Sequence, residues 1–363
     1  MLATPPAISP LLLLPHPEVS VSIHARRTGL RHYLRPAVAV AALGLATVSC
    51  SSTSTPASTG NPAGGESPTA TTGAGAQTST PAATSATTDN GGKATIQAVA
   101  SIDAWGSILS QLGGDRVQTT SIISSPDVDP HDYEPTTADG RTIADAKLVL
   151  ENGIGYDSWM AKAAAANPAP GRSVIDVGQL VGVKDGGNPH QWYSHDAVYK
   201  VIDAITTSLQ HLDPANADYF AAQKTTLETV AFKQYNDLEQ QISSQYKGAP
   251  VGASESIASP LADSVGLDMR TPYSFLSAIS EGTDPRPRDI AQVNSQISEK
   301  KIRVYLDNVQ NSTPDVARQV TAAEKAGIPI VKITETLSPE NASFQDWQSG
   351  QLSALKAALA KGQ

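Results

Sequence analysis

The chain of 363 residues contains one cysteine, Cys50. A single thiol excludes an intrachain disulfide and a zinc–thiolate cluster inside the fold. Histidine is scarce as well, at 7 residues, with none between positions 132 and 189. Basic residues are outnumbered, 26 Lys and Arg against 35 Asp and Glu, giving a net charge of −9. That balance argues against a nucleic-acid partner and against general adhesion to anionic lipid. The apolar run from Ala37 to Val48 is too short to cross a bilayer as a helix. No HExxH, no GxSxG and no phosphate-cradling glycine loop occurs. The familiar signatures of metalloprotease, serine hydrolase and nucleotide chemistry are therefore missing, and the chain does not read as an enzyme.

What the sequence does contain falls into distinct zones. Arg26, Arg27, Arg31 and Arg35 precede the apolar run, which ends just before Ser49 and Cys50. This order of basic segment, short apolar segment, small residue and cysteine resembles a bacterial lipoprotein signal, although Thr47 stands where a leucine is usual. The resemblance implies a signal peptide over residues 1–49 and lipid attachment at Cys50, on the outer face of the cell membrane. Residues 50–93 are almost entirely Ser, Thr, Ala, Gly and Pro. Such a segment buries too little apolar surface to offset its ordering entropy and reads as a lipid-anchored tether. With leader and tether set aside, the remainder is more acidic still, which suits cation capture.

The rest is long enough for two lobes. Residues 94–195 alternate between short apolar runs, such as Ile96–Ser101, Val117–Ile123 and Leu148–Leu150, and segments of helical spacing. That alternation predicts a parallel sheet with helical crossovers. Over 196–247 the apolar residues, among them Val198, Val201, Ile202, Ile205 and Leu209, recur at helical spacing. One long linking helix is expected there, with at most one break at Pro214. Residues 248–363 repeat the α/β plan, with strands at Pro250–Ala253, Arg303–Leu306 and Ile328–Ile333. The fold class is thus α/β: two lobes with parallel sheets flanked by helices, joined by one long backbone helix.

Ligands of open parallel sheets bind beyond the carboxyl ends of the strands. That rule nominates His131 after Val117–Ile123, Glu255 after Val251–Ala253, Glu335 after Ile328–Ile333 and Asp307 after Arg303–Leu306. His190 precedes the long helix. His131 and His190 each follow a proline, which stiffens the loop that carries them. Two imidazoles and two or three carboxylates would converge if the lobes face one another. His195 is an alternative or supporting donor. Asp307 reads more readily as a strand-end hydrogen-bonding residue than as a donor.

Four segments carry a further resemblance: Gly113-Gly114-Asp115-Arg116-Val117, Asp129-Pro130-His131-Asp132-Tyr133-Glu134-Pro135, Asn188-Pro189-His190-Gln191-Trp192-Tyr193 and Leu212-Asp213-Pro214-Ala215-Asn216. Together they resemble the metal-specific solute-binding lipoproteins of zinc and manganese ABC transporters, over roughly residues 95–360. The resemblance implies a monomeric receptor that captures one divalent transition metal between its lobes and delivers it to an ABC permease in the cytoplasmic membrane. It assigns His131 and His190 as first-lobe ligands, Glu255 as the third and Glu335 as the fourth, where the family usually has Asp. A thiol-free, oxygen-rich set favours manganese somewhat over zinc, although zinc also accepts two imidazoles and two carboxylates. The competing readings are an adhesion or structural surface lipoprotein and, less readily, a metal-dependent hydrolase.

Overall fold

The computed structural model describes residues 96–127 and 129–362. The expected signal peptide, Cys50 and the tether lie outside the described residues. Among the described residues, eight strands form two sheets. The first holds β1 (Ile96–Ile102), β2 (Val117–Ile123), β3 (Leu148–Glu151) and β4 (Ser173–Asp176) in the order β2-β1-β3-β4. The second holds β5 (Pro250–Ala253), β6 (Asp268–Met269), β7 (Val304–Asn308) and β8 (Ile330–Ile333) in the order β6-β5-β7-β8. All pairings are parallel. The two sheets therefore share one topology, and each reverses its strand order beside its first strand.

Local sequence explains the layers. β1 is central and buried along almost its whole length, so it reads as a continuous small and apolar run, IQAVASI. β2 lies at the edge and carries Gln118, Thr119, Thr120 and Ser121. The helix Asp103–Gly113 covers this sheet through Trp105, Ile108, Leu109 and Leu112, all fully buried. In the second lobe, helix Phe344–Lys361 packs on β7 and β8. The strands expected from hydrophobic runs are present; β6, two residues long, has no pattern by which to read it.

The linking segment is helical but not one rod. Helix His195–Leu212 ends at Asp213, and Pro214–Asn216 forms a 3₁₀ turn, because proline supplies no N–H to continue the ladder. Residues 217–246 then run on as helix Ala217–Thr226, a π turn Leu227–Ala231 and helix Lys233–Tyr246. This run is about 45 Å long at the usual helical rise. Its first part packs on helix Asp103–Gly113 of the first lobe, and its last part on Phe344–Lys361 of the second. The bridging role expected of the helix thus falls to the portion after Pro214, while His195–Leu212 packs largely on the first lobe.

Candidate metal centre

The two histidines are presented by the same local device. In Asp129-Pro130-His131, Asp129 Oδ1 accepts the His131 backbone N–H at 3.0 Å, and Pro130 opens a one-turn 3₁₀ helix. In Asn188-Pro189-His190, Asn188 Oδ1 accepts the His190 backbone N–H, again at 3.0 Å. A short Asx side chain closing a turn over a proline fixes the histidine backbone before any tertiary contact is made. Asn188 Oδ1 also lies 2.9 Å from His190 Nδ1, and its Nδ2 donates to Ser256 O at 2.7 Å, which orients the amide. The imidazole therefore carries its proton on Nδ1 and turns the lone pair of Nε2 inward.

The two glutamates come from the second sheet. Glu255 follows β5 in Ser254-Glu255-Ser256, and Glu335 follows β8 in Thr334-Glu335-Thr336. One ligand atom from each of His131, His190, Glu255 and Glu335 lies within 4.8 Å of every other. His131 Nε2 and His190 Nε2 are 3.2 Å apart. His190 Nε2 is 3.6 Å from Glu255 Oε1 and 3.5 Å from Glu335 Oε2; the matching distances from His131 are 3.8 and 3.7 Å. His190, Glu255 and Glu335 are fully buried, whereas the His131 side chain keeps 15% exposure. It borders a cleft of about 690 Å³ lined in part by Asp129, Asp132, Tyr156 and Glu281.

Burial dominates the electrostatics. It pushes His190 down to about 4, against the pull of Glu255, and it lowers His131 as well. It raises Glu255, which the charge of Glu335 raises further, and it raises Glu335 against the pull of His131. Neutral imidazoles therefore face carboxylates that resist ionisation, a cluster short of positive charge. A divalent cation would supply that charge. The donor spacings also suit one, since tetrahedral bonds of ~2.1 Å give edges of about 3.4 Å.

All four residues that the motifs nominated are brought together. The two doubtful candidates are not among them. His195 Nδ1 lies 2.5 Å from Glu239 Oε2, and the His195 ring packs against Tyr199 and Tyr235. Asp307 is buried one position before the end of β7, its carboxyl raised by burial against the pull of Lys332. Its neighbour Asn308, which sequence reasoning passed over, reaches the cluster instead and donates to both Glu255 and Glu335. Strand alternation was the available signal: if Asp307 faces one way, Asn308 faces the other. Tyr156 was also missed. Its hydroxyl donates to Glu335 Oε2 at 3.0 Å. It is aimed by the turn Gly153-Ile154-Gly155, whose φ values are all positive, 70°, 60° and 85°. A Cβ on Gly153 would meet Asp176 Oδ1 at 2.3 Å, so that position requires glycine. Ile154 in this region costs on the order of 1–3 kcal/mol, a strain typical of functional loops.

Relatives share this architecture. The manganese-binding lipoprotein MntA of Bacillus subtilis (strain 168) is 24% identical over 258 residues, covering 66% of this chain and 80% of that protein. The high-affinity zinc uptake system protein ZnuA of the same organism is 23% identical over 275 residues, covering 69% and 83%. A shorter match, to MntA of Halalkalibacterium halodurans, is 26% identical but spans only 43% of that protein. Among solved structures, a Mn-bound periplasmic metal binding protein from candidatus Liberibacter asiaticus superposes with a TM-score of 0.61 at 20% identity, over 73% of this chain and all of that one. A solute-binding protein, FpvC, from P. aeruginosa in complex with Ni²⁺ gives 0.60 at 19%, over 74% and 98%. The profile described as zinc-uptake complex component A, periplasmic, matches residues 98–358, nearly the whole of both lobes and the segment between them, and by that match the chain belongs to this family of metal-transport solute-binding proteins.

Proposed function

We propose that this protein is the extracytoplasmic receptor of a metal ABC transporter, anchored through Cys50 and carried on the 50–93 tether. It captures one divalent transition-metal ion on His131, His190, Glu255 and Glu335, and passes it, as a monomer, to a permease in the cytoplasmic membrane. The observation that carries the reading is the convergence of those four donors from two lobes, three of them without solvent contact. Two buried carboxylates beside two neutral imidazoles form an unfavourable arrangement alone and a favourable one around a dication. A receptor role rather than hydrolysis is supported by family membership. The ion is manganese or zinc. Donor type weighs toward manganese; coordination number is the other half of the choice.

The test is titration of the metal-stripped full-length chain with Mn²⁺ and Zn²⁺, with bound metal counted by mass spectrometry. One ion per chain is expected. In His131→Ala and His190→Ala, affinity should fall strongly while the metal-free fold, followed by circular dichroism, is retained. Unchanged binding in both variants would remove the site assignment. No stoichiometric binding by the unmodified chain would remove the transport reading and return the question to adhesion.

A further inference from the structure

Donor type and donor geometry are separate variables in metal choice, and one amide governs the geometry here. Asn308 ends β7 and has no solvent exposure. Its Nδ2 uses both hydrogens on carboxylates, donating to Glu255 Oε2 and, at 3.0 Å, to Glu335 Oε1. Its own carbonyl accepts the Gln310 backbone N–H at 3.1 Å, which settles which end of the amide is nitrogen. The oxygens that Asn308 holds, Glu255 Oε2 and Glu335 Oε1, are not the ones paired with the imidazoles. The other two, Glu255 Oε1 and Glu335 Oε2, lie 3.5–3.8 Å from both Nε2 atoms. These inner oxygens are aimed in turn by Ser280 Oγ, at 2.8 Å from Glu255 Oε1, and by the Tyr156 hydroxyl, at 3.0 Å from Glu335 Oε2.

A chelating carboxylate must turn both oxygens toward the ion. Here the second oxygen of each glutamate already accepts a buried hydrogen bond from Asn308 Nδ2, and turning it toward the ion would strain or break that bond. We propose that Asn308 is a specificity-determining residue that holds both glutamates to one-oxygen ligation, making the site four-coordinate and selecting zinc over manganese. This rests on the metal-capture reading above. Zinc is satisfied by four ligands in a tetrahedron. Manganese, a hard ion of octahedral preference, needs more oxygens than the clamp releases. The spacings of 3.2–3.8 Å between imidazole nitrogens and their partners fit a compact donor shell. With three donors fully buried, a fifth ligand can approach only from the His131 side, where the Tyr156 ring stands edge-on at 5.1 Å.

Cobalt(II) reports coordination number directly, because a tetrahedral ion has intense visible d–d bands and a six-coordinate one has weak bands. The full-length chain loaded with Co²⁺ should show the intense bands. Asn308→Ala frees the outer oxygens; it should lose most of that intensity and lower the zinc-over-manganese affinity ratio about tenfold or more, the size of effect that residues supporting metal ligands exert. A five- or six-coordinate spectrum from the unmodified chain would overturn the clamp, as would an Asn308→Ala protein that binds one ion with unchanged spectrum and ratio. Either result leaves metal capture standing. Failure of the unmodified chain to bind Zn²⁺, Mn²⁺ or Co²⁺ one-to-one would instead remove capture, and this inference with it.

Discussion

The two sheets share one strand order, yet the lobes built on them contribute to the site in opposite ways. In the proposed site the first lobe would supply nitrogen donors from loops, each held by an Asx-Pro-His turn whose hydrogen bond is local in sequence. The second would supply oxygen donors from strand ends, held by Asn308, Ser280 and, across the lobes, Tyr156. Glu255 and Asn308 stand at the ends of β5 and β7, where the strand order of that sheet reverses and ligands characteristically bind. One half of the site is thus arranged by short-range turn chemistry and the other by long-range packing. Shared topology supplies the positions; the residues placed there decide what each lobe does.

Substitutions should separate the halves. The largest effect is expected from a donor itself: His190→Ala or Glu255→Ala should weaken Zn²⁺ binding by about 100-fold or more, roughly 3 kcal/mol, in competitive titration. Next comes the turn that orients a donor. Asn188→Ala removes the nearer partner of His190 Nδ1, leaving Ser256 Oγ at 3.3 Å, and should cost about tenfold. Equal losses for Asn188→Ala and His190→Ala would mean that the imidazole has no fixed orientation without its turn.

The pH dependence sharpens the contrast between nitrogen and oxygen donors. Burial lowers both histidines, so protons compete weakly for them at neutral pH. Burial raises both glutamates, so the metal-free site retains protons on oxygen that a cation must displace. Affinity should therefore rise with pH, about tenfold per unit for each proton released, and weaken in acid. The rise should continue up to about pH 7, the value to which Glu255 is raised. An affinity already level by about pH 5 in a series of Zn²⁺ titrations would show that the carboxylates hold no competing protons near neutrality.

The smallest effect is expected at the histidine outside the site. Glu239 raises the pKa of His195, so the pair's stabilisation is present below the unfolded histidine value and is lost as pH rises through the folded one. The side chain is 40% exposed, so solvent screens the pair. His195→Gln should lower the melting temperature by about 2 °C at pH 5.5, less at pH 8.5, and leave metal affinity unchanged. A loss of metal affinity would tie His195 to the site after all.

The four clustered residues were legible in the sequence because their signals are local. The histidines each follow a proline, the glutamates each follow an expected strand of a parallel sheet, and the motifs around both histidines resemble a known family. Asn308 and Tyr156 were not legible, because their roles depend on contacts across 53 and 179 positions. At the end of β7 the charge of Asp307 drew attention to the wrong neighbour, and only the strand's side-chain alternation distinguishes the two. The alternation of strands and helices exposed both sheets. The linking segment was read correctly as helical, but the π turn at Leu227–Ala231 leaves no mark in the apolar spacing.

The uneven burial of the four donors has a kinetic consequence. Of the proposed ligands only His131 touches solvent, so it is the donor that an arriving hydrated ion meets first and a departing ion leaves last. On the proposed ligand set, entry and escape would share one gate residue, and discrimination between ions would reside behind it. Residence time on the receptor would be set at His131 and the surrounding loop, and a change there could speed hand-over to the permease without altering which metal is carried.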